Sequence, residues 1–311
     1  MENILITTSS FGKDDLSPLN DLNKMKGINI VTNPYERKLT EDEVSRLIEE
    51  LKPIGMIAGV EPLTRNVLIK AKGLKVISRC GIGLDSVDLD AANELGIIVT
   101  NTPDAPTIPV AELTLGMILC LLRQLHTADA SIRRGQWERP MGLLLYGKTV
   151  GIIGCGRIGS YLAKLLHAFN CTLLGYDPNI KQHELYEMVT LNDLLQRSDI
   201  ISIHIPYSHE NHHLIGVQEL SITKENAILV NAARGGLVDE NALYEYLQSG
   251  HLLGAALDCH EVEPCCSSKF VNMPNVLLTP HIGSYAREAR VIMEMQAADN
   301  LIKELKKIGD I

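Results

Sequence analysis

Short runs of valine, isoleucine and leucine recur along almost the whole chain, with segments of helical apolar spacing between them. NILITTSS, INIVTN, GMIAG, KVISRC and IIVTN fall within the first hundred residues, and KTVGIIG, TLLGYD, IISIHI, AILVNAA, LGAALD and VLLTPH follow from residue 148. A strand that is apolar continuously, rather than at alternate positions, is covered on both faces. Parallel sheets flanked by helices produce that pattern. Eleven such runs exceed one ordinary open sheet, and one long helix expected over 110–134 parts the two sets. The reading is an α/β chain with two doubly wound parallel-sheet domains, for which 311 residues, 45% of them apolar, supply enough core. The last segment, SYAREARVIMEMQAADNLIKELKKIGD (284–309), has helical spacing and no strand after it. It is expected to return and pack on the first domain.

The formal charge of −9 leaves no basic stripe for a nucleic-acid backbone, so no nucleic-acid partner is expected. MENILITTSSFGKDD lacks a basic region followed by an apolar one, and no secretory leader is expected. The longest apolar run, VAELTLGMILCLLRQL, carries Glu112, Arg123 and Gln124 and reads as a core helix rather than a membrane span. Seven scattered cysteines, an odd count, suit reduced thiols in the cytoplasm. His209, His212 and His213 cluster in YSHENHHLIG, but no matching cysteine or carboxylate set stands near them in sequence, and no metal is expected.

TVGIIGCGRIGSYLAKLL (149–166) places Gly154, Gly156 and Gly159 in GxGxxG spacing, with Arg157 and Ile158 inside the turn, after an apolar strand and at the start of a helix. Gly154 allows the tight turn, Gly156 lets backbone N–H groups approach a pyrophosphate, and Gly159 permits close helix–strand packing. The next strand ends in Asp177, 18 residues after Gly159. A carboxylate there accepts hydrogen bonds from an adenosine ribose and repels a 2′-phosphate, so the expected cofactor is NAD.

Three later strand ends carry charged or polar groups: Arg234 in ILVNAARGGLVDE, Asp258 and Glu263 in LDCHEVEP, and His281 in LLTPHIGS. Ligands of open α/β sheets bind beyond the carboxyl ends of the strands, so these residues are expected to converge on one site. An imidazole exchanges protons near neutral pH, a carboxylate beside it fixes the ring, and a guanidinium holds a substrate carboxylate through several donors.

With SRCGIGLDSVDLDAA, NTPDAPTIPVAEL, GCGRIG, NAARGGLVDE, the Glu263–Pro264 pair and PHIGS in place, the chain resembles the D-isomer-specific 2-hydroxyacid dehydrogenase family, and within it phosphoglycerate dehydrogenase-like members. The resemblance implies a Rossmann NAD domain over 102–283 inserted into a flavodoxin-like substrate domain of 1–101 plus 284–311. It implies a homodimer formed through the long helix after NTP and the segment containing Trp137. It makes His281 the proton donor and acceptor, Glu263 its partner and Arg234 the anchor of a small anionic substrate. Backbone N–H groups of the Gly81, Ile82, Gly83 turn would face the substrate carboxylate, and Arg79 matches a phosphate-contacting arginine. Asp258 would receive the nicotinamide amide, while His204, Pro206, Ala232, Ala233 and Gly283 would line the cofactor.

The implied reaction interconverts a D-2-hydroxy acid and its 2-oxo acid. D-3-phosphoglycerate, the substrate of serine biosynthesis, is the first candidate, with glyoxylate, hydroxypyruvate or a specialised metabolite as alternatives. An NAD-sensing binding protein of the corepressor type is the other class. Departures bear on that choice. Glu61 stands where phosphoglycerate-binding relatives tend to have a basic residue, and Cys259 and His260 replace a common valine–phenylalanine pair. The C-terminal serine-sensing domain of longer phosphoglycerate dehydrogenases is not expected.

Overall fold

A computed structural model describes residues 1–309. The chain divides into two compact units. One holds Met1–Pro106 and the segment beginning at Ser284, the other Thr107–Gly283.

The first unit carries β1 (Glu2–Ile6), β2 (Ile28–Thr32), β3 (Gly55–Ala58), β4 (Val76–Arg79) and β5 (Ile98–Thr100). All are parallel, in the order β2-β1-β3-β4-β5, the flavodoxin-like arrangement. One face packs Leu5, Met56 and Ile77 against Val44 and Ile48 of the helix Glu41–Leu51. That helix starts where it does because Thr40 and Glu43 form a capping box, Glu43 N donating to Thr40 Oγ1 at 3.3 Å and Thr40 N to Glu43 Oε2 at 2.9 Å. The other face packs Ile4, Ile6, Ile57 and Val76 against Met293, Ala297, Ala298, Leu301 and Leu305 of the helix Arg287–Ile308. The terminal helix does return to the first sheet. Its small residues let it approach closely enough for Ser78 Oγ to donate to Ala297 O at 2.8 Å.

The second unit carries β6 (Thr149–Ile153), β7 (Thr172–Tyr176), β8 (Glu187–Met188), β9 (Ile200–Ile203), β10 (Ile228–Asn231), β11 (Gly254–Leu257) and β12 (Val276–Leu278). Their order is β12-β11-β10-β9-β6-β7-β8, all parallel, which is the Rossmann order with one further strand. Chain direction across the sheet reverses between β6 and β9, the point where such folds hold ligands. Two expectations need correction. Strand β8 was not anticipated, because two edge residues, Glu and Met, leave no apolar run. The helix expected over 110–134 is two helices, Thr107–Leu122 and Leu125–Arg133, bent by 65°. Gln124 takes a left-handed φ of 50° at the break. Leu143 N donates to Leu122 O at 2.7 Å, and the Gln124 side chain donates to Met141 O at 3.1 Å. The 141–143 loop thus satisfies a helix end that would otherwise have continued. No single helix among the described residues is long and apolar enough to cross a membrane.

Candidate active site

The glycine-rich turn leaves β6 at the sheet's reversal point. Gly154 has φ +98°, and a Cβ there would lie 2.7 Å from the His204 carbonyl carbon, so this turn and the one after β9 press together. A Cβ on Gly159 would overlap Gly154 O, while one on Gly156 would meet nothing within 4 Å. Gly156 is the N-cap of the helix Arg157–His167, so open space lies beside a helix start, with exposed Arg157 and half-buried Ile158 in its first turn. Asp177, directly after β7, accepts from Cys155 N at 3.0 Å and from Asn179 N at 2.9 Å. A cleft of about 590 Å³ opens beside it, lined in part by Tyr176, Ile180, Lys181 and Thr190. Turn, helix start, acid and cleft fit a dinucleotide. Burial pushes His204 down to about 4, so its ring is neutral, with Nε2 2.8 Å from Ser202 Oγ. Pro206 lies exposed two residues on, and Ala232 is buried beside half-buried Ala233 after β10.

Arg234 sits on a turn built by Asn231, whose side chain donates to Arg234 O at 2.8 Å and accepts from Ala233 N at 3.1 Å. Its own Nη1 donates to Ala233 O at 2.8 Å. A Cβ on Gly235 would overlap His260 O, so the turn after β10 rests on the segment after β11.

His281 Nδ1 lies 3.0 and 3.2 Å from the two Glu263 carboxylate oxygens, with side-chain exposures of 41% and 37%. Burial raises the Glu263 pKa, but the hydrogen bond and charge of His281 and the N–H of His260 outweigh it and hold Glu263 below the ordinary value. With Glu263 accepting at Nδ1, the other ring nitrogen, Nε2, is the one left to exchange protons.

Asp258 has a task the sequence reading did not foresee. It is fully buried, and its carboxylate accepts from Thr279 Oγ1 at 2.7 Å, Ile282 N at 2.8 Å and Gly283 N at 2.8 Å. Those bonds hold the turn on which His281 takes its left-handed φ of 54°. His260 also braces this turn, with Nε2 3.1 Å from Thr279 O. Cys259 is buried with Sγ 3.4 Å from Ala233 O, and burial, with Asp258 and Glu263, pushes its thiol pKa up.

In the first unit, on the turn after β4, Gly81 N donates to Thr102 Oγ1 at 2.8 Å. Gly81 is favoured by its φ of +145°, which other residues rarely adopt, and the Arg79 guanidinium lies where a Cβ would stand. Ile82 accepts at its carbonyl from Asn101 Nδ2 at 2.7 Å, and Gly83 follows half-buried. Arg79 is 9% exposed and Glu61 2% exposed. Glu61 accepts from the Thr7 hydroxyl and from Gly59 N at 3.1 Å, and burial pushes its carboxyl up against the opposing pull of those donors and of Arg79.

The histidine cluster also differs from the sequence reading. His213 stacks on His212 at 3.8 Å and reaches Glu261 Oε1 at 2.8 Å and Asp239 Oδ2 at 3.9 Å. His209 contacts Tyr207 instead, at 6.3 Å between ring centres. The acidic partners lie too far along the chain to be seen by spacing.

The sequence profile of the D-isomer specific 2-hydroxyacid dehydrogenase NAD binding domain matches residues 115–283. A D-3-phosphoglycerate dehydrogenase of Methanocaldococcus jannaschii is 42% identical over 87% of this chain and 52% of its own length, so this chain spans about half of that relative. A hydroxypyruvate reductase of Thermotoga maritima is 38% identical over 86% of this chain and 89% of its own. The solved D-lactate dehydrogenase of Aquifex aeolicus, complexed with NAD and lactic acid, superposes with a TM-score of 0.83 at 30% identity, covering 98% of this chain and 96% of its own. With its Rossmann strand order, its phosphate turn and these matches, the chain belongs to the D-isomer specific 2-hydroxyacid dehydrogenase family, with NAD as cofactor.

Proposed function

We propose that the protein is an NAD-dependent dehydrogenase that interconverts a D-2-hydroxy acid and its 2-oxo acid. The observation that carries this reading is the Glu263–His281 pair at 3.0 Å, at the ends of β11 and β12, with Arg234 at the end of β10. A dinucleotide held at the Gly154–Gly159 turn and Asp177 would accept the hydride from the substrate carbon as NAD⁺ or supply it as NADH. Arg234 holds the substrate carboxylate and draws on the carbonyl oxygen. His281 gives that oxygen a proton from Nε2 on reduction and takes it back on oxidation, while Glu263 holds the ring by Nδ1. The test is NADH oxidation against a panel of 2-oxo acids. Turnover of one or more supports the reading. NADH binding without any turnover would favour a corepressor-type sensor.

For the substrate we propose D-3-phosphoglycerate, oxidised to 3-phosphohydroxypyruvate in serine biosynthesis. The supports are the likeness to the phosphoglycerate dehydrogenase and the resemblance of Arg79 to a phosphate-contacting arginine of the family. One observation favours a second reading, an unphosphorylated acid such as hydroxypyruvate or glyoxylate: the acid Glu61 is buried where its charge opposes that of Arg79. The comparison that decides is kcat/KM for phosphohydroxypyruvate against hydroxypyruvate. A phosphate meeting Arg79 contributes a charge-assisted bond of roughly 1.5–3 kcal/mol, a preference of about tenfold to hundredfold. Equal efficiency, or a preference that survives Arg79→Ala, would remove phosphoglycerate.

We also propose a homodimer in the cytoplasm, where seven free thiols stay reduced. The support is a run of exposed apolar side chains, with Trp137 83%, Met141 89%, Leu144 67% and Tyr146 67% exposed. Light scattering at twice the chain mass is the expected result.

A further inference from the structure

Two groups of side chains among the described residues bring three candidate metal ligands together. His213, Asp239 and Glu261 offer only nitrogen and oxygen, and Asp239 is fixed by two backbone N–H groups as the cap of the helix Glu240–Gln248. Cys259, Glu263 and His281 differ in kind. They offer sulfur, oxygen and nitrogen, with ligand atoms all within 4.8 Å of one another.

We infer that Cys259, Glu263 and His281 form a binding site for a thiophilic divalent cation, Zn²⁺ above all, and that occupancy switches off the acid–base pair. This donor set is the mixture that Zn²⁺ takes, at about 2.3 Å to sulfur and about 2.0–2.2 Å to nitrogen and oxygen, with a fourth position left to water. Such bond lengths put neighbouring ligands roughly 3.3–3.7 Å apart. Glu263 and His281 are 3.0 Å apart, so this pair has to open by a few tenths of an ångström while the gap to the sulfur closes. Cys259 is the buried floor, 2% exposed, and Glu263 and His281 stand above it with side chains 37% and 41% exposed. On coordination the thiol proton leaves to solvent, Nδ1 of His281 gives up the proton it held toward Glu263 and leaves Nε2 as the protonated nitrogen of a neutral ring, and the sulfur gives up its contact with Ala233 O. The nearby charges favour a cation on balance, since Asp258 and Glu263 face Cys259 along with the single guanidinium of Arg234. The metal binds the ring and the carboxylate whose mutual hydrogen bond sets up proton exchange, so a loaded site has no acid–base pair.

The inhibition rests on the proposed roles of His281 and Glu263, whereas the binding does not, and the test separates the two. Cofactor-free protein is titrated with Co²⁺ as a spectroscopic stand-in for Zn²⁺. The expected result is a thiolate-to-cobalt charge-transfer band in the near ultraviolet that saturates at one equivalent. Cys259→Ser should abolish the band and weaken binding at least tenfold, and His213→Ala should leave both unchanged. Cys259→Val serves as second variant if a buried hydroxyl unfolds the unit. In turnover, Zn²⁺ should inhibit, EDTA should reverse it, and either Cys259 variant should need at least tenfold more Zn²⁺. A band that persists without Cys259, or one lost in His213→Ala, overturns the site. A band without inhibition overturns the switch. If no 2-oxo acid is turned over, the proposed function falls while the cobalt titration still decides the binding.

Discussion

One acid–base pair in the second unit and the charges packed under the first sheet are treated in opposite ways. In the second, Glu263 and His281 stay wet, with side chains 37% and 41% exposed. In the first, Glu61 and Glu294 are 2% exposed and Arg290 is 9% exposed. A group that passes protons must be reached by substrate and must tolerate both charge states at little cost. A sealed charge can do neither, because changing its state inside low-dielectric surroundings is expensive. The difference separates groups that react from groups that hold shape and charge in place. Substitutions in the two units should therefore fail in different ways.

The largest expected effect is on turnover. His281→Ala and Arg234→Ala should each lower kcat by about 10²–10⁴-fold, the range for a lost acid–base or charge-stabilising group. NADH affinity should hold, because the phosphate turn at Gly154–Gly159 is untouched, and thermal stability should move little, since the groups are wet. Stopped-flow or steady-state assays beside a fluorescence titration of NADH check both halves. Near-normal turnover in either variant would break the assignment of the reacting groups.

A sealed charge should show the converse. Glu294 accepts from Gly12 N at 2.9 Å and lies 3.2 Å from Arg290. Burial pushes its pKa up, against the pull of Gly12 N–H and Arg290. Glu294→Ala leaves Arg290 in the interior without its acid, and a broken buried pair costs roughly 3–5 kcal/mol. Chemical denaturation should register that loss. Unchanged stability would mean that Arg290 is not held by this pair.

This contrast was only partly legible in the sequence. The strands and the glycine-rich turn were, because parallel-sheet burial writes itself as unbroken apolar runs and a phosphate turn is a local object. That Glu263 and His281 share a site follows from their place beyond strand ends, but their pairing came through likeness to a family, since nothing local ties residues 18 apart on two loops. Gly12 and Glu294, 282 positions apart, pair only through the returning terminal helix, and no spacing rule reaches that far. The same holds for Asp258. Its position after a strand was visible, but its three donors come from residues 279–283, and only coordinates show the carboxylate turned inward. The break at Gln124 has no glycine or proline to announce it. A neighbouring loop makes it.

Asp177 lies between the two extremes, half-buried and already holding Cys155 N and Asn179 N. A 2′-phosphate brought beside it meets a fixed carboxylate in a partly dry cleft. NAD should therefore outperform NADP in kcat/KM by more than about tenfold, and Asp177→Ala should narrow the gap. Paired assays with the two cofactors decide this. A preference for NADPH in the unmodified protein would show that the acid does not govern the choice.

The smallest effect is also the sharpest test of the comparison, because the two units should answer pH with opposite signs. Glu263 has its pKa lowered in the fold, so its ionised form contributes stability that is present above the ordinary value near 4.5 and is lost as pH falls through the folded value. Glu61 has its pKa raised by burial, so its contribution is fully present below that ordinary value and is lost as pH climbs through the folded one. Glutamine carries no titration. Relative to the unmodified protein, Glu263→Gln should lose stability toward neutral pH and recover toward acid, whereas Glu61→Gln should gain stability as pH rises. Glu263 is well solvated, so water screens most of its term and the change in Tm should be on the order of 1–3 °C. Calorimetry of both variants and the unmodified protein from acid to neutral pH gives the two slopes. Slopes of the same sign would mean that burial does not distinguish these two acids, and the division between reacting and positioning charges would have to be redrawn.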